Sequence, residues 1–371
     1  MAHTHTKSES ARSRAPMGKK AYAFLALCAV CIAGVFCAPG IFVAPEAPPR
    51  ADAKPAVSVP PPAMSSGLLP EAPPAAAEAL AAETGGSIRE FATIQSNNSI
   101  QNSVNIIITG DGYTLSELQP GGVFDSHAGQ FMRALANEEP FASYQDFINI
   151  HLIRAVSQDR GADLHQDKDE RDTVFDATYG AYGIDRLLVI RKPEKLRNLI
   201  RLAPKHDIII ILVNDTRYGG SGYVLETEKG TIPAPIYAAG NSSGIRIAFH
   251  ELGHSLANLA DEYVDENIAA HYSLSLARDK PNIDMTYKLE NIKWSYFFKI
   301  DPNAYSVLGA FEGAYYRASG IYRPQQNCIM RSLSHPYCYV CRKEVARALF
   351  RIANFVFDEE GYHRENPIRI P

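Results

Sequence analysis

Two histidines four residues apart, with an acid beside the first, restrict the local fold more than anything else in the chain: His250-Glu251-Leu252-Gly253-His254. On a helix that spacing is about one turn, so both imidazoles face the same way and Glu251 projects beside them. The flanks favour such a helix. Ile245, Ile247, Ala248, Phe249, Leu252, Leu256 and Leu259 supply an apolar surround, as a metal site carried on a rigid element requires. In a chain with 11 histidines the pentapeptide alone is only suggestive, and this context gives it weight. The bland alternative is a buried helix whose histidines merely satisfy core hydrogen bonds.

A catalytic zinc takes three protein ligands and leaves a fourth position to water. On an unbroken helix Asp261 would share a face with His250 but lie about 16 Å further along the axis. No single ion spans that gap. The helix is therefore expected to end and the chain to double back, with Asn258 the residue best able to adopt the left-handed conformation of such a stop. Asp261 then returns as the third ligand. Glu262 beside it competes for the role, and the residues leave the choice open. An acid pair capping the same helix is disfavoured, because acids are unfavourable at a helix C-terminus.

From residue 87 onward, short runs rich in β-branched residues alternate with helical patterns. Residues 104–109 (VNIIIT), 148–155 (INIHLIRA) and 207–213 (DIIIILV) read as strands, with 232–238 a weaker fourth because of Pro233 and Pro235. Residues 115–137 read as a broken helix, 186–202 as a helix, and 339–355 as an amphipathic helix closing the chain. The fold class is α/β (α+β), a mixed twisted sheet with helices packed on it, an active-site helix and a smaller C-terminal subdomain. The acid-rich stretch 158–178, with Asp159, Asp163, Asp167, Asp169 and Asp172, reads as a solvated insertion rather than a calcium loop, for it lacks a known ligand spacing. Asp111-Gly112 belongs to no phosphate-loop pattern and reads as a turn.

The N-terminal part is of a different kind. Arg12, Arg14, Lys19 and Lys20 precede an uncharged run at 21–38, the pattern of a signal peptide or single signal anchor, so residues 1–44 read as an export address. Met17 makes a more usual start than Met1, and Cys28, Cys31 and Cys37 serve as small hydrophobes within the run. Of the chain's 24 prolines 11 fall within residues 39–74, so residues 45–86 read as an extended linker that cannot repay its ordering entropy. The catalytic domain is then 87–371, with an upper subdomain at about 100–262 and a lower one at about 263–371. A net charge of −4 argues against nucleic acid, and no partner chain is expected beyond a protein or peptide substrate. The address places the protein outside the cytoplasm: periplasmic, cell-surface or secreted.

The segment HELGHSLANLADEY resembles the signature of the IgA-specific-metallopeptidase family, secreted and mostly bacterial zinc endopeptidases allied to the metzincins. The likeness extends in order through NIIITGDGYT at 105–114, Glu139-Pro140-Phe141, Tyr218-Gly219-Gly220-Ser221-Gly222, FEGAYYRASGIYRP at 311–324, and Cys328-Ile329-Met330-Arg331 through Cys338-Tyr339-Val340-Cys341. It covers essentially the whole folded part. The resemblance implies a methionine turn beneath the metal, at Met330, which composition alone would class as core. One departure is visible: metzincins place glycine seven residues after the first histidine and the third ligand at ten, whereas here Ala257, Asn258 and Asp261 stand at seven, eight and eleven.

The expected activity is that of an exported zinc metalloendopeptidase with one catalytic Zn2+, ligated by His250, His254 and Asp261, and with Glu251 as general base. Tyr322 and Tyr337 are candidates for stabilising the oxyanion. The segment 219–222 is a candidate edge for pairing with an extended substrate, or else a flexible connection. Cys328, Cys338 and Cys341 remain in the exported part, so a disulfide from Cys328 to Cys338 or Cys341 is expected, pinning the methionine turn. The rival arrangement is a structural zinc held by all three cysteines with His335. Two other classes of function remain, a non-peptidase zinc hydrolase of the cell-wall amidase type and a non-catalytic surface binding module; an intact Glu251 speaks against the second.

Overall fold

The computed structural model describes residues 88–97, 99–164 and 170–370. The export address, the linker, Met17, Asp167 and Asp169 lie outside the described residues. Among the described residues no helix is long and apolar enough to cross a membrane.

The longest β-branched runs become the middle of a sheet. Its strands are β1 (Ile88–Gln95), β2 (Val104–Asp111), β3 (Ile148–Ala155), β4 (Ile208–Val213), β5 (Gly220–Ser221) and β6 (Ile236–Ala238), in the spatial order β1-β3-β2-β4-β6-β5. The four central strands run parallel, while β1 and β5 are antiparallel to their neighbours. Every residue of β2, β3 and β4 is buried. Such strands have no solvated face, which is why they read as unbroken apolar runs instead of alternating ones.

The pleat still divides them. Ile106, Ile108, Ile208 and Ile210 face one core together with α1 (Val123–Leu135), α3 (Gly244–Ala257) and α4 (Tyr339–Ile352). Ile107, Ile209 and Ile211 face a second core closed by α2 (Pro193–Ile200). The first core also contains Trp294, Met330, Leu349 and Ile368, so the stretch after residue 263 shares its interior with the sheet.

Local chemistry accounts for the differences from the sequence reading. The broken helix begins only at Val123, because Pro120 and Gly121, the latter at φ 76°, make a turn before it. The second helix shrinks to eight residues with Pro193 in its first turn, since the residue before a proline is pushed out of the helical region. The fourth strand splits into a hairpin arm, Gly230–Pro233, and β6, with Pro235 at the break: it has no N–H, and its carbonyl accepts from Ile211 N at 3.0 Å. The helix read at 339–355 stops at Ile352, two residues before Asn354 at φ 60°, and does not close the chain, since a short helix follows at Glu359–Glu365. Strand β1, an edge strand with a half-exposed Ile94, carried no clear pattern in the sequence.

Asp111, the last residue of β2, is fully buried and anchors the acid-rich insertion. Its carboxylate accepts from Phe175 N at 3.0 Å, Ala177 N at 2.8 Å and the Thr173 hydroxyl at 2.9 Å. Two aspartates of the insertion act likewise on its own backbone, Asp159 accepting from Asp172 N and Asp163 from Arg171 N.

Candidate metal centre

Helix α3 leaves the sheet at once after β6. A Cβ on Gly244 would stand 2.5 Å from Ala238 O, so only glycine allows so tight a connection. The helix then runs against the first core through Ile247, Ala248, Phe249, Leu252 and Leu256. It ends at Asn258, which has left-handed backbone angles, φ 53° and ψ 31°, while Leu259 N donates back to Gly253 O at 3.0 Å. The Asn258 side chain is fixed on both sides, donating to Asp279 O at 3.1 Å and accepting from Lys280 Nζ at 2.6 Å.

That reversal returns the chain beneath the helix. Asp261 Oδ1 lies 3.1 Å from His250 Nε2 and 3.3 Å from His254 Nε2, and the two Nε2 atoms are 3.1 Å apart. Each imidazole is oriented through its other nitrogen: His250 Nδ1 meets Ile329 O at 3.0 Å and His254 Nδ1 meets Leu259 O at 2.8 Å. A proton on Nδ1 satisfies each carbonyl and leaves both Nε2 lone pairs pointing at one spot. The Tyr316 hydroxyl donates to Asp261 Oδ2, and Oδ1 is buried with no hydrogen-bond partner. Burial opposes ionisation of Asp261, yet the histidines, when protonated, hold its carboxyl well below the usual carboxylate range; when they are neutral that support is gone. Two lone pairs and an anionic oxygen meeting in a buried corner repel one another unless a cation sits among them, so this donor set fits a metal ion.

The floor comes from the far part of the chain. Met330 is fully buried, and its sulfur lies against Gly253, the residue before His254. Glu262 N donates to Met330 O at 2.7 Å, tying the returning strand to the same turn. Arg246 secures the loop beyond, donating to Leu333 O at 2.9 Å and to His335 O while pairing with Glu138 at 2.7 Å. In front of the histidines opens a cleft of about 1690 Å³, lined among others by Glu251, Arg186, Tyr218 and Tyr263.

A sequence model of the family described as IgA Peptidase M64 matches residues 92–302 and 296–349. The chain belongs to this family. No curated protein matches it. As an M64 peptidase the chain is a hydrolase of peptide bonds, and the matched span contains all three converging residues, Glu251 and Met330.

The two adjacent acids that the sequence left in competition part company. Asp261 joins the histidines, whereas the Glu262 side chain points the other way, to Asn282 Nδ2 at 2.9 Å and the Cys341 thiol at 3.2 Å. The cysteines themselves require a correction. Cys328, Cys338 and Cys341 are free thiols instead of a disulfide and a leftover. Their sulfurs are engaged in a closed set of hydrogen bonds: Cys338 N donates to Cys328 Sγ and Cys341 N to Cys338 Sγ, both at 3.4 Å. His335 is not among them; the fourth group close to the three sulfurs is the Glu262 carboxylate.

Neither tyrosine considered for the oxyanion faces the cleft. Tyr337 is buried and its hydroxyl donates to Phe249 O within α3, while Tyr322 pairs with Glu312 at 3.4 Å. Sequence reasoning missed Arg186 and Tyr263, whose side chains bond at 3.0 Å on the cleft wall. Burial works against the Arg186 charge, but Tyr263, Asp261 and Glu251 push its pKa up. Arg186 opens the segment read as a helix, residues 186–202, and nothing in that pattern points to the cleft. The outer side of Gly220 in edge strand β5 is already occupied, its N–H by Arg186 O at 3.2 Å and its carbonyl by Leu188 N at 3.4 Å. Substrate cannot extend the sheet at that residue. The glycines there serve close approach instead: a Cβ on Gly222 would stand 2.8 Å from His254 Cβ.

Proposed function

We propose that this M64 peptidase is an exported zinc endopeptidase with His250, His254 and Asp261 as ligands and Glu251 as general base. The convergence of two imidazole Nε2 atoms with a buried carboxylate oxygen carries the reading. A histidine pair with one carboxylate is a common catalytic zinc set and leaves a fourth position free.

When bound there, zinc supplies a Lewis acid for the scissile carbonyl and lowers the pKa of an attached water. The chain's own groups do the rest. Glu251, on the cleft wall next to His250, takes the proton of the attacking water and hands it to the departing amine. Arg186, held by the Tyr263 hydroxyl, offers a fixed positive charge on the same wall, suited to stabilising negative charge on the carbonyl oxygen. The Ile329 and Leu259 carbonyls keep each Nε2 aimed inward throughout. Export rests on the positive cluster and uncharged run that open the chain.

The test is digestion of a mixed peptide library by the full chain, with and without a chelator. Cleavage lost on chelation, restored by zinc and abolished by Glu251→Gln with metal content unchanged is the expected result. Cleavage that survives chelation, or an active Glu251→Gln enzyme, overturns the assignment.

A further inference from the structure

Behind the histidine site lies a second set of metal-binding groups. We propose that Glu262, Cys328, Cys338 and Cys341 form a closed, structural site for a thiophilic dication, zinc in the first place. One ligand atom from each residue lies within 4.8 Å of all the others, and all four residues are buried. Sulfurs around a tetrahedral zinc, at bonds of about 2.3 Å, stand about 3.8 Å apart, so a small inward movement completes the geometry.

Glu262 supplies an independent pointer. Its Oε1 has two partners, Asn282 and the Cys341 thiol, but its Oε2 is buried with no hydrogen-bond partner. An orphaned carboxylate oxygen deep in a protein is costly and uncommon, and a cation in the cluster removes the cost. Asn282 is itself locked, exchanging bonds with Ala260 N at 2.7 Å and Ala260 O at 2.9 Å, so it orients Glu262 from outside as a ligand's supporting partner does.

The backbone is arranged for thiolates. Cys338 caps the N-terminus of α4 and Cys341 lies in its first turn, which puts both sulfurs on one side. The N–H groups of Cys338 and Cys341 point at sulfur atoms, and the positive end of the helix dipole favours negative charge there. Three sulfurs select zinc over magnesium or calcium, and four protein ligands leave no open position, so the site holds structure and does no chemistry. Binding releases the thiol protons to solvent. The bound ion joins the residue after Asp261, the residue two before Met330 and the start of α4, a clamp on the back of the cleft.

The measurement is metal loading of the full chain, reduced, stripped and then dialysed against zinc or cobalt. Two zinc ions per chain are expected, and a strong sulfur-to-cobalt charge-transfer band with cobalt. His254→Ala should lower the ratio to one and keep the band, which separates this site from the catalytic one whether or not the protein is a zinc peptidase. Cys341→Ser should lose the band; if that variant fails to fold, the wild-type and His254→Ala spectra still decide. Absence of the band, its loss in His254→Ala, or mass spectrometry of the native protein finding two of these cysteines joined overturns the proposal; one ion per chain with the band present supports it and overturns the histidine site instead.

Discussion

Met330 Sδ and Gly253 are in such close apposition that a Cβ built on the glycine would stand 2.7 Å from the sulfur, with Leu259 and Tyr337 carbons at 3.1 and 3.2 Å. The glycine between Leu252 and His254 is therefore what admits the methionine beneath the histidines. Gly253→Ala should cost about 1 to 3 kcal/mol of stability through overpacking, despite alanine's better helix propensity. Thermal unfolding with metal bound checks it; an alanine variant as stable as the parent would mean that the floor can recede.

Tyr316 touches the proposed metal set only through Asp261 Oδ2. Removing the hydroxyl frees the carboxylate to turn, so Tyr316→Phe should weaken metal binding about 10- to 100-fold, the usual cost of losing such a support. Competition with a chromogenic chelator measures it, and the fold should survive as judged by circular dichroism.

At Asn258 two contributions can be separated. Alanine keeps neither the ease of φ 53° nor the bonds to Asp279 and Lys280, whereas glycine keeps the first. Asn258→Ala should be the less stable of the two variants, by about 1 kcal/mol. Denaturant unfolding of both variants side by side provides the comparison, and equal losses would assign everything to the side-chain bonds.

Burial pushes the Lys280 pKa down to about 8 from its ordinary 10.5. Between those values the unfolded chain binds more protons than the folded one, so stability should climb as pH rises from about 8 towards 10 and stay flat in this respect below 8. The whole effect is about 3 kcal/mol at most. Lys280→Met should flatten the climb, which unfolding curves at pH 7.5, 8.5 and 9.5 would reveal.

Arg186 tests the cleft wall. If its charge serves the carbonyl oxygen, Arg186→Met should lower kcat by about 10²-fold with little change in bound metal. A rise in KM alone, or unchanged turnover, would restrict Arg186 to holding Tyr263 in place.

How much of this could be read beforehand depends on the range over which each cause acts. The strands at 104–111, 148–155 and 208–213 announced themselves because total burial leaves only apolar, β-branched residues in place. The stop at Asn258 was legible because ligand geometry forbids the helix to continue. What sequence could not supply was direction. Asp261 and Glu262 are neighbours of the same chemistry, and only the folded chain assigns one to the histidines and the other to the cysteines. The cysteines were expected to pair because exported chains usually oxidise them, and nothing local told of the glutamate arriving from 66 residues before Cys328. Arg186 reaches the cleft through a loop fold with no period to read.

The floor and back wall of the cleft are contributed by residues 328–352, long after the histidine motif has been laid down. A growing polypeptide that has reached only His254 possesses the motif without Ile329 to orient His250 or Met330 to support the helix. The surroundings that aim His250 and carry the helix are therefore complete only when most of the chain has been made.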